Sequence, residues 1–140
     1  MKKFLLIILP LILTLSGCSA ADQESMQASV LHAQDCSSLI SMAEQEKTAD
    51  NFVLLDVRTG REYEEMHIPN SINIDYYSPS FSTDIDHLDK NKNYLVYCRS
   101  GNRSGKSVSL MKEKGFKNVC TLEGGIAMWQ AEGRPVLTSG

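Results

Sequence analysis

A strand-length apolar run that ends in a cysteine constrains this chain more than any other stretch. Tyr94-Leu95-Val96-Tyr97 is continuously apolar and β-prone, and Cys98 follows it directly. A small polar stretch, Arg99-Ser100-Gly101-Asn102-Arg103-Ser104-Gly105, then leads into a helical pattern running from Asn102 to Lys114. Unbroken rather than alternating hydrophobicity suits a strand buried on both faces. The order strand, cysteine, tight loop, helix places the thiol over a helix N-terminus, where unpaired N–H groups and the positive dipole end favour an anion. Arg99 and Arg103 add positive charge. The thiolate is the reactive form of cysteine, and such surroundings lower its pKa. Cys98 therefore reads as a nucleophile, held in a cradle over residues 99–104 that also binds oxyanions. A lone cysteine at a strand end is usually a small buried hydrophobe. Loop length, Gly101, two arginines and a helix start together favour the reactive reading.

The same alternation of strand and helix recurs along the chain. Val30-Leu31 is expected to be a short first strand, and Leu39, Ile40 and Ala43 give residues 34–46 a helical period with Cys36 near its start. Phe52 to Leu55 is a second unbroken apolar run. It ends in Asp56-Val57-Arg58, after which Thr59 can cap a helix through Arg61-Glu62-Tyr63-Glu64. Arg58 and Glu62 are expected to form a local ion pair. His67 to Ile74 reads as a turn into another short strand, residues 75–81 as loop, residues 84–88 as a short helix and residues 89–93 as a turn. Gly115 is a natural stop for the helix after Cys98. Val119 to Leu122 is a further strand, Glu123-Gly124-Gly125 a turn into a helix over 126–130, and residues 133–136 close the chain. Strands alternating with helices predict βαβ units, with ligands bound outside the carboxyl ends of the strands. Asp56 and Cys98 both fall at such ends.

The front of the chain is of another kind. Lys2-Lys3 precede an apolar run from Phe4 to Leu15, too short and too unevenly flanked for a membrane span. Leu15-Ser16-Gly17-Cys18 matches the bacterial lipobox, in which Cys18 is lipidated and becomes the mature N-terminus; an ordinary secretory signal is the competing reading. The expected organisation is a signal peptide over 1–17, a polar tether over 18–28 and one domain over 29–140. The domain would then be extracytoplasmic, held by acyl chains to the periplasmic side or the cell surface of a bacterial membrane. The net charge is −3; loss of Lys2 and Lys3 leaves 12 basic against 17 acidic residues, a balance of −5 that argues against nucleic acid as a partner. Outside the cytoplasm a disulfide is permitted, and spacing does not decide between a Cys36–Cys120 bond and two free thiols. Without a C-x-x-C or a His/Cys cluster, neither thioredoxin-like exchange nor a metal or other cofactor is expected.

Cys98-Arg99-Ser100-Gly101-Asn102-Arg103-Ser104 resembles the active-site loop of the rhodanese-like sulfurtransferases. Asp56-Val57-Arg58 with Glu62-Tyr63, His67-Ile68-Pro69-Asn70-Ser71-Ile72, and Leu122-Glu123-Gly124-Gly125 with Trp129 are similar to further landmarks of that family, in the expected order. Asn70 replaces the commoner glycine, and Met66 stands where glycine often precedes His67. The resemblance covers about residues 30–136. It implies an α/β fold with an open, mostly parallel sheet flanked by helices on both faces.

The resemblance also implies a persulfide on Cys98, formed from a sulfane donor such as thiosulfate and discharged to cyanide or a thiol in a two-step covalent cycle. The N–H groups of Arg99 to Ser104 would hold the persulfide anion, with Gly101 supplying the turn. Arg103 is expected to hold the anionic end of the donor, and Arg99 to face solvent. Asp56 and Arg58 are read as supporting residues that pin the loop, His67 as a structural residue in its turn, Trp129 as core, and the domain as a monomer. The runner-up is a phosphatase or arsenate reductase, whose loop is one residue longer; here four residues separate Cys98 from Arg103, and Tyr97 stands where such phosphatases carry His. A tethered thiol that carries sulfur or docks a partner without turnover is the third reading.

Overall fold

The computed structural model describes residues 30–31 and 49–139. The expected helix over 34–46, the signal and tether segments, Cys18, His32 and Cys36 lie outside the described residues. In chain order the elements begin with β1 (Val30–Leu31), a 3₁₀ turn (Ala49–Asn51), β2 (Phe52–Asp56), α1 (Gly60–Glu65), β3 (Met66–His67) and β4 (Ser71–Asn73). They continue with α2 (Phe81–Asp86), β5 (Asn93–Tyr97), α3 (Asn102–Glu113), β6 (Asn118–Leu122), α4 (Gly125–Ala131) and β7 (Leu137–Thr138). Five strands form one sheet in the order β1-β6-β5-β2-β4, and every neighbouring pair is parallel. Strands β3 and β7 make a separate antiparallel pair. Among the described residues no helix is long and apolar enough to cross a membrane.

The unbroken apolar runs fill both faces of this sheet, as their composition requires. Along β5 and into the loop, Tyr94, Val96 and Cys98 point to one side, where they pack with Leu55, Val57, Phe81 and Ile85 of α2, and Val108 and Met111 of α3. Leu95 and Tyr97 point to the other, where Leu54, Ile68, Leu122, Ile126 and Trp129 complete a second cluster. Each fully buried side chain of this size contributes roughly 1.5–3 kcal/mol by leaving water. Trp129, expected in the core, is 3% exposed and donates its indole N–H to Pro135 O at 2.8 Å.

Local signals set the helix ends. Thr59 caps α1 with a full capping box: its hydroxyl accepts the Glu62 N–H, and the Glu62 carboxylate accepts the Thr59 N–H. Gly115, at φ +91°, ends α3 in a Schellman arrangement, with Gly115 N–H on Lys112 O and Phe116 N–H on Met111 O. Two expectations are corrected. The short helix expected over 84–88 is α2, which starts three residues earlier because Phe81 and Ile85, one turn apart, are its two buried residues. Tyr76 packs edge-on against Phe81 at 5.3 Å, so residues 75–80 are the approach to that helix. The chain end read as a simple closure also carries β7, too short for any periodic signal.

Candidate functional site

The parallel register sets Asp56, the last residue of β2, beside Tyr97, the last of β5. The Val57 N–H extends the ladder by one bond, to Tyr97 O at 2.9 Å. Residues 56–58 and Cys98 therefore leave the sheet together at its carboxyl edge. Asp56 is fully buried and Arg58 is 4% exposed. Arg58 donates its backbone N–H to Asp56 Oδ1 at 2.8 Å and its Nη2 to Oδ2 at 2.6 Å, and a second Nη2 contact reaches Met66 O at 2.6 Å. The guanidinium lies 5.7 Å from the Tyr97 ring centre. The expected ion pair is present, and its further contact ties Arg58 to Met66.

Cys98 is 1% exposed, and its Sγ accepts the Gly101 N–H at 3.1 Å, with Ser104 Oγ at 3.6 Å. Ser104 is itself fully buried and receives the Thr121 hydroxyl at 2.7 Å. Burial pushes the Cys98 thiol up, but hydrogen bonds from the Ser104 N–H and hydroxyl and from the Gly101 and Ser100 N–H groups outweigh it. The net result is a thiol that ionises below its ordinary value. Gly101 is the N-cap of α3 at φ +107°, a conformation that costs residues with a Cβ. Ser100 and Asn102 are exposed on the rim.

The back of the loop rests on α4. Ile126 N–H binds Cys98 O at 2.9 Å and Ala127 N–H binds Arg99 O at 3.1 Å. Gly125, at φ +57°, makes this approach possible: a Cβ there would lie 2.4 Å from Cys98 O.

The two loop arginines differ sharply. Arg99 is exposed and makes no ion pair among the described residues. It lines a cleft of about 370 Å³ together with Glu65, Met66, Ile126, Ala127 and Gln130, with Arg58 and Glu62 completing the wall. Arg103 is bound end-on by Glu62, Nη1 to Oε2 at 2.7 Å and Nη2 to Oε1 at 2.9 Å. The expected Arg58–Glu62 pair is thus corrected: Arg58 belongs to Asp56 and Glu62 to Arg103. Arg58 precedes the N-cap Thr59 and is not helical, so the i, i+4 neighbourhood of a helix does not apply to it.

His67 stacks on Tyr63 at 4.0 Å between ring centres, with Nδ1 2.9 Å from Tyr63 O, which agrees with the structural reading. His87 is an exposed C-cap of α2. Cys120 carries a free, half-buried thiol that donates to Tyr94 O at 3.6 Å, and burial pushes it up to about 11. Sequence reasoning missed Thr121 and Tyr97 as parts of the site's support, and gave Glu62 the wrong partner. The Tyr97 hydroxyl accepts the Ile68 N–H at 3.1 Å and meets Ser71 Oγ at 3.0 Å; its place immediately before Cys98 was the available signal.

The sequence model of the rhodanese-like domain matches residues 37–132. The chain is 33% identical over 79 residues to the thiosulfate sulfurtransferase GlpE of Pseudomonas savastanoi, covering 56% of this chain and 73% of that protein. It is also 33% identical over 94 residues to the thiosulfate:glutathione sulfurtransferase of Saccharomyces cerevisiae, covering 59% of this chain and 68% of that protein. Similar domains occur inside larger proteins: the chain spans 20% of an adenylyltransferase and sulfurtransferase of Debaryomyces hansenii. A rhodanese-related protein from Thermoplasma volcanium has a similar crystal structure, with a TM-score of 0.65 at 32% identity, covering 77% of this chain and 96% of that one.

Proposed function

Because this chain belongs to the rhodanese-like domain family, we propose that it is a rhodanese-type sulfurtransferase whose Cys98 carries sulfane sulfur as a persulfide. The observation that carries the reading is the buried Cys98 Sγ, which accepts the Gly101 N–H and has the Ser104 hydroxyl at 3.6 Å, its pKa lowered by the hydrogen bonds of the loop despite its burial. The Cys98 thiolate attacks the outer sulfur of thiosulfate. The S–S bond of the donor breaks, sulfite leaves with the bonding pair, and a Cys98 persulfide anion remains. A thiolate or cyanide then attacks the outer sulfur, and the Cys98 thiolate leaves with its electron pair, ready for another cycle. Loop N–H groups serve as donors to the anion at both stages. Two guanidinium groups of the loop can meet the anionic end of the donor: Arg103, whose pair with Glu62 uses one N–H on each terminal nitrogen, and the exposed Arg99.

The test is thiosulfate:cyanide transfer by the full chain beside Cys98→Ser. Thiocyanate from the wild type and none from Cys98→Ser is the expected result. Cys98-dependent release of phosphate from a phosphomonoester, without thiocyanate, refutes it in favour of phosphoryl chemistry. Neither reaction, with Cys98 reduced and reactive, refutes it in favour of a carrier.

The lipobox supports a second part of the proposal: Cys18 is acylated and anchors the domain outside the cytoplasm. Cys18→Ser should move the protein from the membrane to the soluble fraction, and membrane association that persists in that variant rules the anchor out.

A further inference from the structure

Arg103 stands in an unfavourable place. It is the second residue of α3, at the positive end of the helix dipole, and the first turn of that helix has no acidic residue. The compensating charge comes from α1, 41 residues earlier, where Glu62 takes both terminal nitrogens of the guanidinium. The carboxylate is itself held: Oε2 also accepts the Thr59 N–H and the Thr59 hydroxyl, each at 3.0 Å. The Tyr77 ring lies on another side of the guanidinium, 5.5 Å away. The side chains of Arg103 and Glu62 are 15% and 30% exposed, so water screens this pair less than an ordinary surface pair.

We propose that Glu62 is a positioning residue for sulfur transfer: it holds Arg103 beside the Cys98 loop while cancelling most of the positive charge that Arg103 would offer to Cys98 and to an anionic donor. Its meaning for catalysis rests on the sulfurtransferase reading; its physical content, the potential at Cys98, does not. Of the charged side chains of this loop and its support, Arg103 is paired with Glu62 and lies 5.5 Å from the Tyr77 ring, Arg58 is paired with Asp56, and Arg99 is exposed. A carboxylate that cancels a cation has an effect opposite in sign to that of the cation. Glu62→Gln keeps a side chain able to accept the Thr59 N–H in the capping box, so α1 retains its start. It turns the uncompensated charge of Arg103 on the thiolate. Arg103→Gln removes the cation and leaves the Glu62 carboxylate facing the same thiolate.

The experiment reads that potential directly, without turnover. Alkylation of Cys98 in the full chain is followed by peptide mass spectrometry at low ionic strength, with anionic iodoacetate and neutral iodoacetamide. The rate ratio of the two reagents should rise about two- to threefold in Glu62→Gln and fall by a similar factor in Arg103→Gln. It should return near the wild-type value in the double variant. The KM for thiosulfate should fall in Glu62→Gln and rise in Arg103→Gln. A brace with no electrostatic role loosens the loop toward both reagents alike, so an unchanged ratio in Glu62→Gln overturns the proposal. Ratios that move the same way in both single variants overturn it too. The expected ratios in a protein that forms no thiocyanate uphold the charge assignment and refute the sulfurtransferase reading instead.

Discussion

Gly125→Ala should loosen the Cys98 loop from behind, without touching any group that does chemistry. An ideal Cβ at Gly125 would lie 2.4 Å from Cys98 O, 2.6 Å from Arg99 O and 2.7 Å from Arg99 C. All three are backbone atoms, so no side chain can swing aside; separations under 3.0 Å essentially never occur, and α4 must move off the loop. The residue also sits at φ +57°, where an L side chain costs about 1–2 kcal/mol. Overpacking adds about 1–3 kcal/mol. The expected loss is about 2–5 kcal/mol, a large share of the 5–15 kcal/mol typical of a small domain. Urea unfolding measures it. Gly105→Ala is the control: a Cβ there meets nothing within 4 Å in the body of α3, and the variant should gain up to about 1 kcal/mol. Because the Ile126 and Ala127 N–H groups hold the carbonyls of Cys98 and Arg99, displacement of α4 should also change the rate of Cys98 alkylation. A loss below about 1 kcal/mol in Gly125→Ala would refute the claim that backbone contact governs this junction.

Acid should weaken the fold partly through Glu62. Its carboxyl is lowered from 4.5 to about 2, chiefly by the hydrogen bond from Arg103 and against the effect of burial. A depressed folded value means stability present above pH 4.5 and lost as the pH falls toward 2; for a partly exposed pair this amounts to about 1–2 kcal/mol. Urea midpoints between pH 5 and pH 2 should therefore fall more steeply for the wild type than for Glu62→Gln, and parallel curves would contradict the assignment. Tyr97→Phe leaves the buried Ile68 N–H without its acceptor and should cost about 1–3 kcal/mol in thermal or urea unfolding. Asp56→Asn leaves the buried Arg58 guanidinium uncompensated. It should cost about 3–5 kcal/mol, with loss of thiocyanate formation only as far as the loop follows the pair. An Asp56→Asn protein of wild-type stability would show that the pair is not a structural pin.

What could be read in the sequence was carried by short-range pattern. The apolar runs at 52–55 and 94–97, the Thr59 cap, the Gly115 stop and the strand–Cys98–loop–helix junction each depend on residues within a few positions of one another, and each appears in the structure as expected. Long-range pairing was not readable. Glu62 has a basic residue four positions before it and another 41 positions after it, and spacing favours the first. The structure pairs it with the second because Arg58 is already bound by Asp56, two residues back at the strand end. Nor does the glycine pair at 124–125 say which of the two approaches the loop. Both have positive φ, but a Cβ at 124 would meet Met128, starting with its Cβ at 2.5 Å, while one at 125 meets the backbone of the Cys98 loop.

The disposition of charge bears on the choice between sulfur and phosphoryl chemistry in this fold. A cysteinyl persulfide is a monoanion, whereas a cysteinyl phosphate carries close to two charges at neutral pH. In this site Arg58 is neutralised by Asp56, and Arg103 by Glu62, before any ligand arrives. What remains for the ligand is a set of backbone N–H groups, with Arg99 as the exposed cation that no ion pair compensates among the described residues. That supply matches the single negative charge of a cysteinyl persulfide better than the nearly double charge of a cysteinyl phosphate, whose oxygens would draw more on a free guanidinium. A phosphate or arsenate ion should therefore inhibit Glu62→Gln more strongly than the wild type, although the loop itself is unchanged.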